Sequence, residues 1–391
     1  MMKRQGWVPL VMAMVAGGVL FAAEELDVYT YMYEQATSPQ ERLGILKNVA
    51  EARIQGAGQL YATALSRILL DVPNLRTAAE RQATEESVRL IVQMLGDAKY
   101  GGAAADLWKT VQSFSNPLVK ADALVALGRI RANEYFEQVV RTLQDLNTQV
   151  PPDPEAGEKI AYGAILALEK YQRVEGYLPV FFASIGWYTQ RIRNQAERSL
   201  PLITENPEAP LSSVIQSPGY SYEVQALALK KMDESAAPGA SKSRVAALAL
   251  QQAWKAVTQD VKQRVQLGNM RKMALTMLRR YGTSDTALLA SLERSYKEGI
   301  DFEERVGAVE VLAGMGSDDA ARLLAAFLME MNTKRRNNLI TAEDERMVRA
   351  LIPALGKTGK SIVRPALQQV EFVDWTDAVK NLAKEALGNI K

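Results

Sequence analysis

Apolar residues recur along this chain at helical spacing. Residues 119–128 read VKADALVALG and residues 379–388 read VKNLAKEALG; both fit V-K-x-x-A-x-x-A-L-G. Val119, Ala123, Ala126, Leu127 and Ile130 follow the i, i+4, i+7, i+8, i+11 rhythm of one helical face. Aligning the Leu of this pattern gives a ladder whose strong rungs are Leu127, Leu168, Leu200, Met232, Leu278, Leu312 and Leu387. The residue four before each is alanine: Ala123, Ala164, Ala196, Ala228, Ala274, Ala308 and Ala383. Weaker rungs at Val49, Leu95 and Leu355 carry a larger aliphatic in the alanine place. Successive rungs lie about 32 to 46 residues apart and average near 38, the period of two-helix repeats. A small alanine lets the next helix approach closely, and the leucine fills the space between layers.

A second helix is predicted between rungs, over 56–70, 102–114, 133–146, 176–185, 242–257, 284–297, 318–332 and 361–370. The segment 209–216 is short and flanked by proline, which leaves the partner helix of that layer unassigned. Asn116 and Pro117 have the character of an N-cap and a first helical residue. Gly128, Gly282, Gly316 and Gly356 are expected just past their helices, where a left-handed residue ends a helix at little cost. Alternation at Tyr29, Tyr31 and Tyr33 reads as an N-terminal cap segment over 24–37 rather than as a strand. Three insertions interrupt the rhythm. PPDP at 151–154 is a stiff turn, Glu234 to Ser243 a flexible loop, and Asn332 to Glu343 a polar loop.

The pattern resembles the HEAT-repeat family, within the HEAT/armadillo group, over residues 38–391. A basic residue after the first aliphatic matches at Lys120, Arg193, Arg271, Arg305 and Lys380; Ala161 and Val348 depart from it. The resemblance implies an all-α fold, a right-handed α-α superhelix (solenoid) of about nine to ten helix pairs. It also implies that the basic residues join hydrogen-bond ladders between repeats. In function it implies an extended binding face for a protein partner. Phycobilin lyases and DNA-repair proteins share this type of fold, and the composition argues against carrying either activity over.

The N-terminus reads as a secretion signal over 1–23. Lys3 and Arg4 precede an uncharged apolar run from Trp7 to Phe21, and Ala22 and Ala23 suit cleavage. An uncleaved anchor is the alternative, although the run is short for a spanning helix of roughly 20 residues. Export would place the chain in the periplasm or cell envelope, with peripheral or N-terminal membrane association possible. The whole chain has 47 Lys and Arg against 45 Asp and Glu; loss of Lys3 and Arg4 leaves 45 of each. A neutral chain is a poor ligand for nucleic acid, whose binding depends on clustered cations. There is no cysteine and no histidine. That removes thiol chemistry, disulfides, the usual general base and the commonest transition-metal ligand. The expectation is therefore a non-enzymatic, cofactor-free binding scaffold, with an envelope lipid- or glycan-binding protein as the alternative.

Three features carry candidate chemistry. Residues 354–361, ALGKTGKS, fit a relaxed phosphate-loop pattern, but a helix precedes them where a strand is required, so an ordinary helix corner is favoured. Trp187 and Tyr188 lie near Tyr171, Tyr177, Phe181 and Phe182, with Arg191 and Arg193 close in sequence. Core filling is the favoured reading, with a binding patch as the alternative. Lys334, Arg335 and Arg336 form a basic run that would suit an acidic partner or lipid head groups, or simply be solvated. At the C-terminal end, Val379, Leu382, Ala386 and Leu387 are expected inward, with Lys380, Lys384 and Glu385 in solvent.

Overall fold

A computed structural model describes residues 25–390, and every regular element among them is helical. The expected signal segment at 1–23 lies outside the described residues. The chain divides into two compact units, with the boundary between Thr204 and Glu205.

The first unit holds α1 (residues 25–35), α2 (Pro39–Ala52), α3 (Gly58–Asp71), α4 (Ala78–Asp97), α5 (Ala104–Ser113), α6 (Pro117–Ile130), α7 (Phe136–Thr148), α8 (Pro154–Tyr171), α9 (Tyr177–Ile185) and α10 (Gln190–Ile203). The second holds α11 (Glu208–Gln216), α12 (Tyr222–Glu234), α13 (Gly239–Lys255), α14 (Val261–Tyr281), α15 (Leu289–Glu298), α16 (Phe302–Gly314), α17 (Asp318–Arg336), α18 (Ala342–Thr358), α19 (Arg364–Gln369) and α20 (Asp377–Gly388).

Within each unit the packing is repeat-like. Even-numbered helices stack in series, α2 on α4, α6, α8 and α10, and α12 on α14, α16, α18 and α20. Odd-numbered helices form the companion row, with α3 on α5, α7 on α9, α11 on α13 and α15, and α17 on α19. Each of the ten rungs falls on one even helix, and all are buried except Leu387, which is half-buried on the last one. The alanine four residues before each strong rung is buried as well. The rhythm in the sequence therefore marks the face along which even helices meet.

Local chemistry explains the helix limits. Asn116 accepts a hydrogen bond from the Leu118 amide and Pro117 opens α6. Asp153 caps α8, so the PPDP turn is a helix start. Gly282 and Gly316 have φ of 77° and 70° and end their helices as expected. Gly128 and Gly356 do not. Both lie inside their helices, and the left-handed stops are Arg131 (φ 52°) and Gly359 (φ 62°). A Cβ on Gly128 would sit 2.5 Å from Ala167 Cα, and one on Gly356 2.9 Å from Ala386 Cα, so these glycines permit close helix approach instead.

Three loop assignments change. Residues 208–216 form a helix after all, burying Leu211, Val214 and Ile215. The Glu234–Ser243 loop shrinks to 235–238, because α13 begins at Gly239 and Ser241, Lys242 and Ser243 are buried. Lys334, Arg335 and Arg336 are the last turn of α17 rather than part of a loop. Asp318 and Asp319 occupy its first turn, so both ends complement the helix dipole. The segment with alternating tyrosines is helical, with Tyr33 buried and Tyr31 exposed. At the C-terminal end Val379, Ala383 and Ala386 are buried, Leu382, Leu387 and Lys380 are half-buried, and Lys384 and Glu385 are exposed. Ile390 is also buried, its carbonyl accepting from Arg364 at 2.7 Å.

The basic positions divide by role. Arg271 on α14 pairs with Glu304 on α16 (2.5 Å), and Arg305 on α16 pairs with Glu343 on α18 (2.6 Å). These are rungs of an ionic ladder along the even row. Ala161 and Val348, where the basic residue is missing, are fully buried.

Candidate functional site

The aromatic group around residue 187 is mostly interior. Tyr188 is buried, stacks on Trp187 at 4.3 Å, and donates to Asn147 Oδ1 at 2.9 Å. Burial raises its phenol pKa well above the ordinary value, with the Glu158 carboxylate adding to the effect. Trp187 is half-buried and its Nε1 donates to the Leu146 carbonyl at 2.8 Å. Together they clamp the end of α7 against the start of α10. Arg191 is exposed and lies 5.8 Å from the Tyr162 ring. Arg193 is half-buried, donates to Gln190 Oε1 at 2.9 Å, and keeps its Nε buried without a partner. The pair of aromatics works as packing; only Arg191 among these four is presented to solvent.

The basic turn of α17 is tied into its own unit. Lys334 lies 3.5 Å from Asp344, and Arg335 donates to the Asp374 carbonyl at 2.7 Å while its guanidinium sits 5.4 Å from the Trp375 ring. Arg336 alone is exposed. The ALGKTGKS segment is a helix corner: α18 ends, Gly359 turns left-handed, and Lys360 pairs with Asp318 at 2.9 Å. Among the described residues no group of three acidic, histidine or cysteine side chains is placed to hold a metal. No described helix is long and apolar enough to cross a membrane.

Two other features of the second unit stand out. The first is a pocket of about 480 Å³ where the end of α11, the start of α12, the end of α13 and the start of α14 converge. Its wall includes Gln216, Gln252, Gln263 and Gln266, with Tyr220, Tyr222 and Lys255. The loop side is held by Gln225, a buried side chain whose Nε2 donates to the carbonyls of Ser217 (2.9 Å) and Tyr220 (3.3 Å). Asp260 caps α14, and the Thr258 hydroxyl donates to Gln263 Oε1 at 2.6 Å, fixing that amide.

The second is an asymmetry between loops. Short connections make consecutive helices antiparallel, so the loops that leave odd helices emerge at one edge and those that leave even helices at the other. All five odd-to-even loops of this unit present a large exposed side chain: Tyr220, Val257 (89% exposed), Ile300, Leu339 (67%) and Phe372 (82%). Val261 and Val265, four residues apart on α14, extend the surface next to Val257. None of the even-to-odd loops of the unit carries an exposed large apolar residue.

Neither feature is prominent in the sequence. The glutamines are spread over residues 216–266 and belong to no motif; the one local signal is the i, i+3 spacing of Gln263 and Gln266, which places both on one face of α14. Val261 and Val265 have helical spacing and look like core positions until their phase is compared with Ala274 and Leu278.

Comparison with known proteins adds little to this geometry. No protein-family model matches the chain, and no curated protein matches it. Among solved structures, an engineered protein from a structural genomics consortium aligns over 92% of this chain and 98% of its own. The two are 15% identical, with a TM-score of 0.34.

Proposed function

We propose that the chain is a protein-binding scaffold: HEAT-like helix pairs stacked as a right-handed superhelix, exported to the cell envelope, that holds a partner protein along its loop edge. The observation that carries this reading is the row Tyr220, Val257, Ile300, Leu339 and Phe372 in the second unit, where each loop of one edge has an exposed large side chain and the loops of the other edge have none. Isolated exposed apolar residues are ordinary; a series repeating with the architecture is not, and such surfaces mark interaction sites. A repeat array suits this role because each layer adds one contact to an extended surface. The exposed Arg336 beside Leu339 would add a charged rim, and the apolar run behind Lys3 and Arg4, read as an export signal, supports the envelope assignment.

Photo-crosslinking in cells tests the proposal. A crosslinkable residue at Val257, Leu339 or Phe372 should capture one and the same protein, and one at Thr283 or Ser317 on the opposite edge should not. Equal capture from both edges, or none from the first, would remove the basis for the reading.

A further inference from the structure

We infer that the pocket between α11 and α14 binds an acidic saccharide, a hydroxyl-rich ligand of one to three rings carrying a carboxylate. This goes beyond the protein-docking edge and does not depend on it. The volume of about 480 Å³ falls within the roughly 300–1,000 Å³ of small-molecule sites. Most such sites are apolar, whereas this one is walled by amides. Each glutamine amide offers two donors and an acceptor, the mixture that a ring of hydroxyls requires. The side chains of Gln216, Gln252 and Gln266 have no hydrogen-bond partner among the described residues. Gln263 has its oxygen occupied by Thr258, which leaves both amide hydrogens for an acceptor in the pocket.

An acyl chain in this place would strip water from four amides and return no hydrogen bonds, a costly exchange. The rings of Tyr220 and Tyr222 supply flat apolar surfaces with polar tips, suited to the C–H face of a sugar ring. Lys255 is the one charged side chain in the wall, and among the described residues it forms no salt bridge. A single cation among neutral amides selects a single carboxylate; it is too little for a nucleic-acid backbone. The frame is set before any ligand arrives, since the buried Gln225 pins the 217–220 turn and Asp260 and Thr258 fix the start of α14. Preformed sites lose less to ordering on binding.

The test is a panel of neutral and uronic oligosaccharides of one to three rings, screened against the full chain, with hits measured by titration calorimetry. Saturable binding to uronic members is expected. Lys255→Met should weaken them about tenfold and leave the neutral counterparts unchanged. Gln252→Ala with Gln266→Ala should weaken both classes by about tenfold or more. These residues lie at the surface, so unchanged melting temperatures will show that the variants fold. Absence of binding across the panel would overturn the inference. So would binding that all the variants retain, or displacement of every saccharide by an acidic peptide at lower concentration.

Discussion

Gly128 on α6 rests directly on the backbone of Ala167 on α8, and Gly163 on α8 rests in return on the backbone of Ala121. A Cβ at Gly163 would lie 2.6 Å from Ala121 Cα. The arrangement recurs: Gly96 faces Ala126, and Gly356 faces Ala386. For Gly96, Gly128 and Gly356 the glycine follows a rung leucine and meets the alanine that precedes the next rung. The A-L-G ending of the repeat is thus a helix-to-helix contact, with both small residues needed at the point of closest approach. Gly128→Ala should destabilise the chain by about 1–3 kcal/mol through overpacking. Gly44→Ala, inside α2 with nothing near the new methyl, should stabilise it by roughly 0.5–1 kcal/mol. Urea denaturation of the two variants checks the contrast.

The Arg271–Glu304 pair gives the next expectation. Its side chains are 6% and 0% exposed, the contact is two-pronged at 2.5 and 3.1 Å, and Glu304 also accepts from the Ile300 amide. Arg271 lies 3.9 Å from the Trp254 ring, and Arg294 is 4.4 Å from the same ring. Glu304→Ala leaves a buried guanidinium without its counter-charge and should cost about 3–5 kcal/mol. Replacing both members, Arg271→Met with Glu304→Leu, should recover most of that loss. Equal instability of the single and double variants in denaturant would show that packing, rather than charge, governs the site.

Stability should depend on pH only in acid. No side chain of this composition has an ordinary pKa between 5 and 8, so the melting temperature should be flat across that range. Below it, carboxyls held low in the folded chain matter, Asp301, Asp344 and Glu208 being the more buried of them. Burial pushes Asp301 and Asp344 upward, but Lys272 with the Glu304 and Glu303 amides outweighs it at the first and Thr341 with Lys334 at the second, so both end below the ordinary 3.8. Glu208 is held below 4.5 by Arg244. Depressed carboxyls contribute fully while both folded and unfolded chains are ionised. That contribution fades as pH falls past the unfolded values and through the lower folded ones. Melting curves from pH 7 to 3 should therefore decline only below about 4.5. A fall between 7 and 5 would point to some other titration.

Capping supplies a local check. Thr341 and Asp344 form a reciprocal box at the start of α18, with the Thr341 hydroxyl accepting from the Asp344 amide and Asp344 accepting from the Thr341 amide at 3.1 Å each. Thr341→Ala should cost about 0.5–2 kcal/mol. Hydrogen exchange should show the loss first in the opening turn of α18.

The even helices were legible because their signal is packing, and packing repeats. Ala123 with Leu127, or Ala274 with Leu278, must recur in every layer. The odd helices were legible in position, from 56–70 through 361–370, and differ from expectation mainly at their ends, except α11, whose short proline-flanked segment left it unassigned. What escaped notice depends on context that spacing alone does not carry. Gly128 looks like a stop signal until the neighbour Ala167 is known. Residues 334–336 look like a loop because they are polar, yet they close the dipole of α17. The glutamine pocket draws on four helices, and its members share no register in the sequence.

Within each unit, helices touch neighbours one or two places away in sequence and few others. Forming a layer therefore closes a chain segment of only about 40 residues. Contact order stays low however many layers are added, and low contact order favours rapid assembly. An insertion or loss of one whole helix pair would leave every other contact of its unit intact. The length of the loop edge is thus a quantity that evolution can change one pair at a time, without redesigning the rest of the molecule.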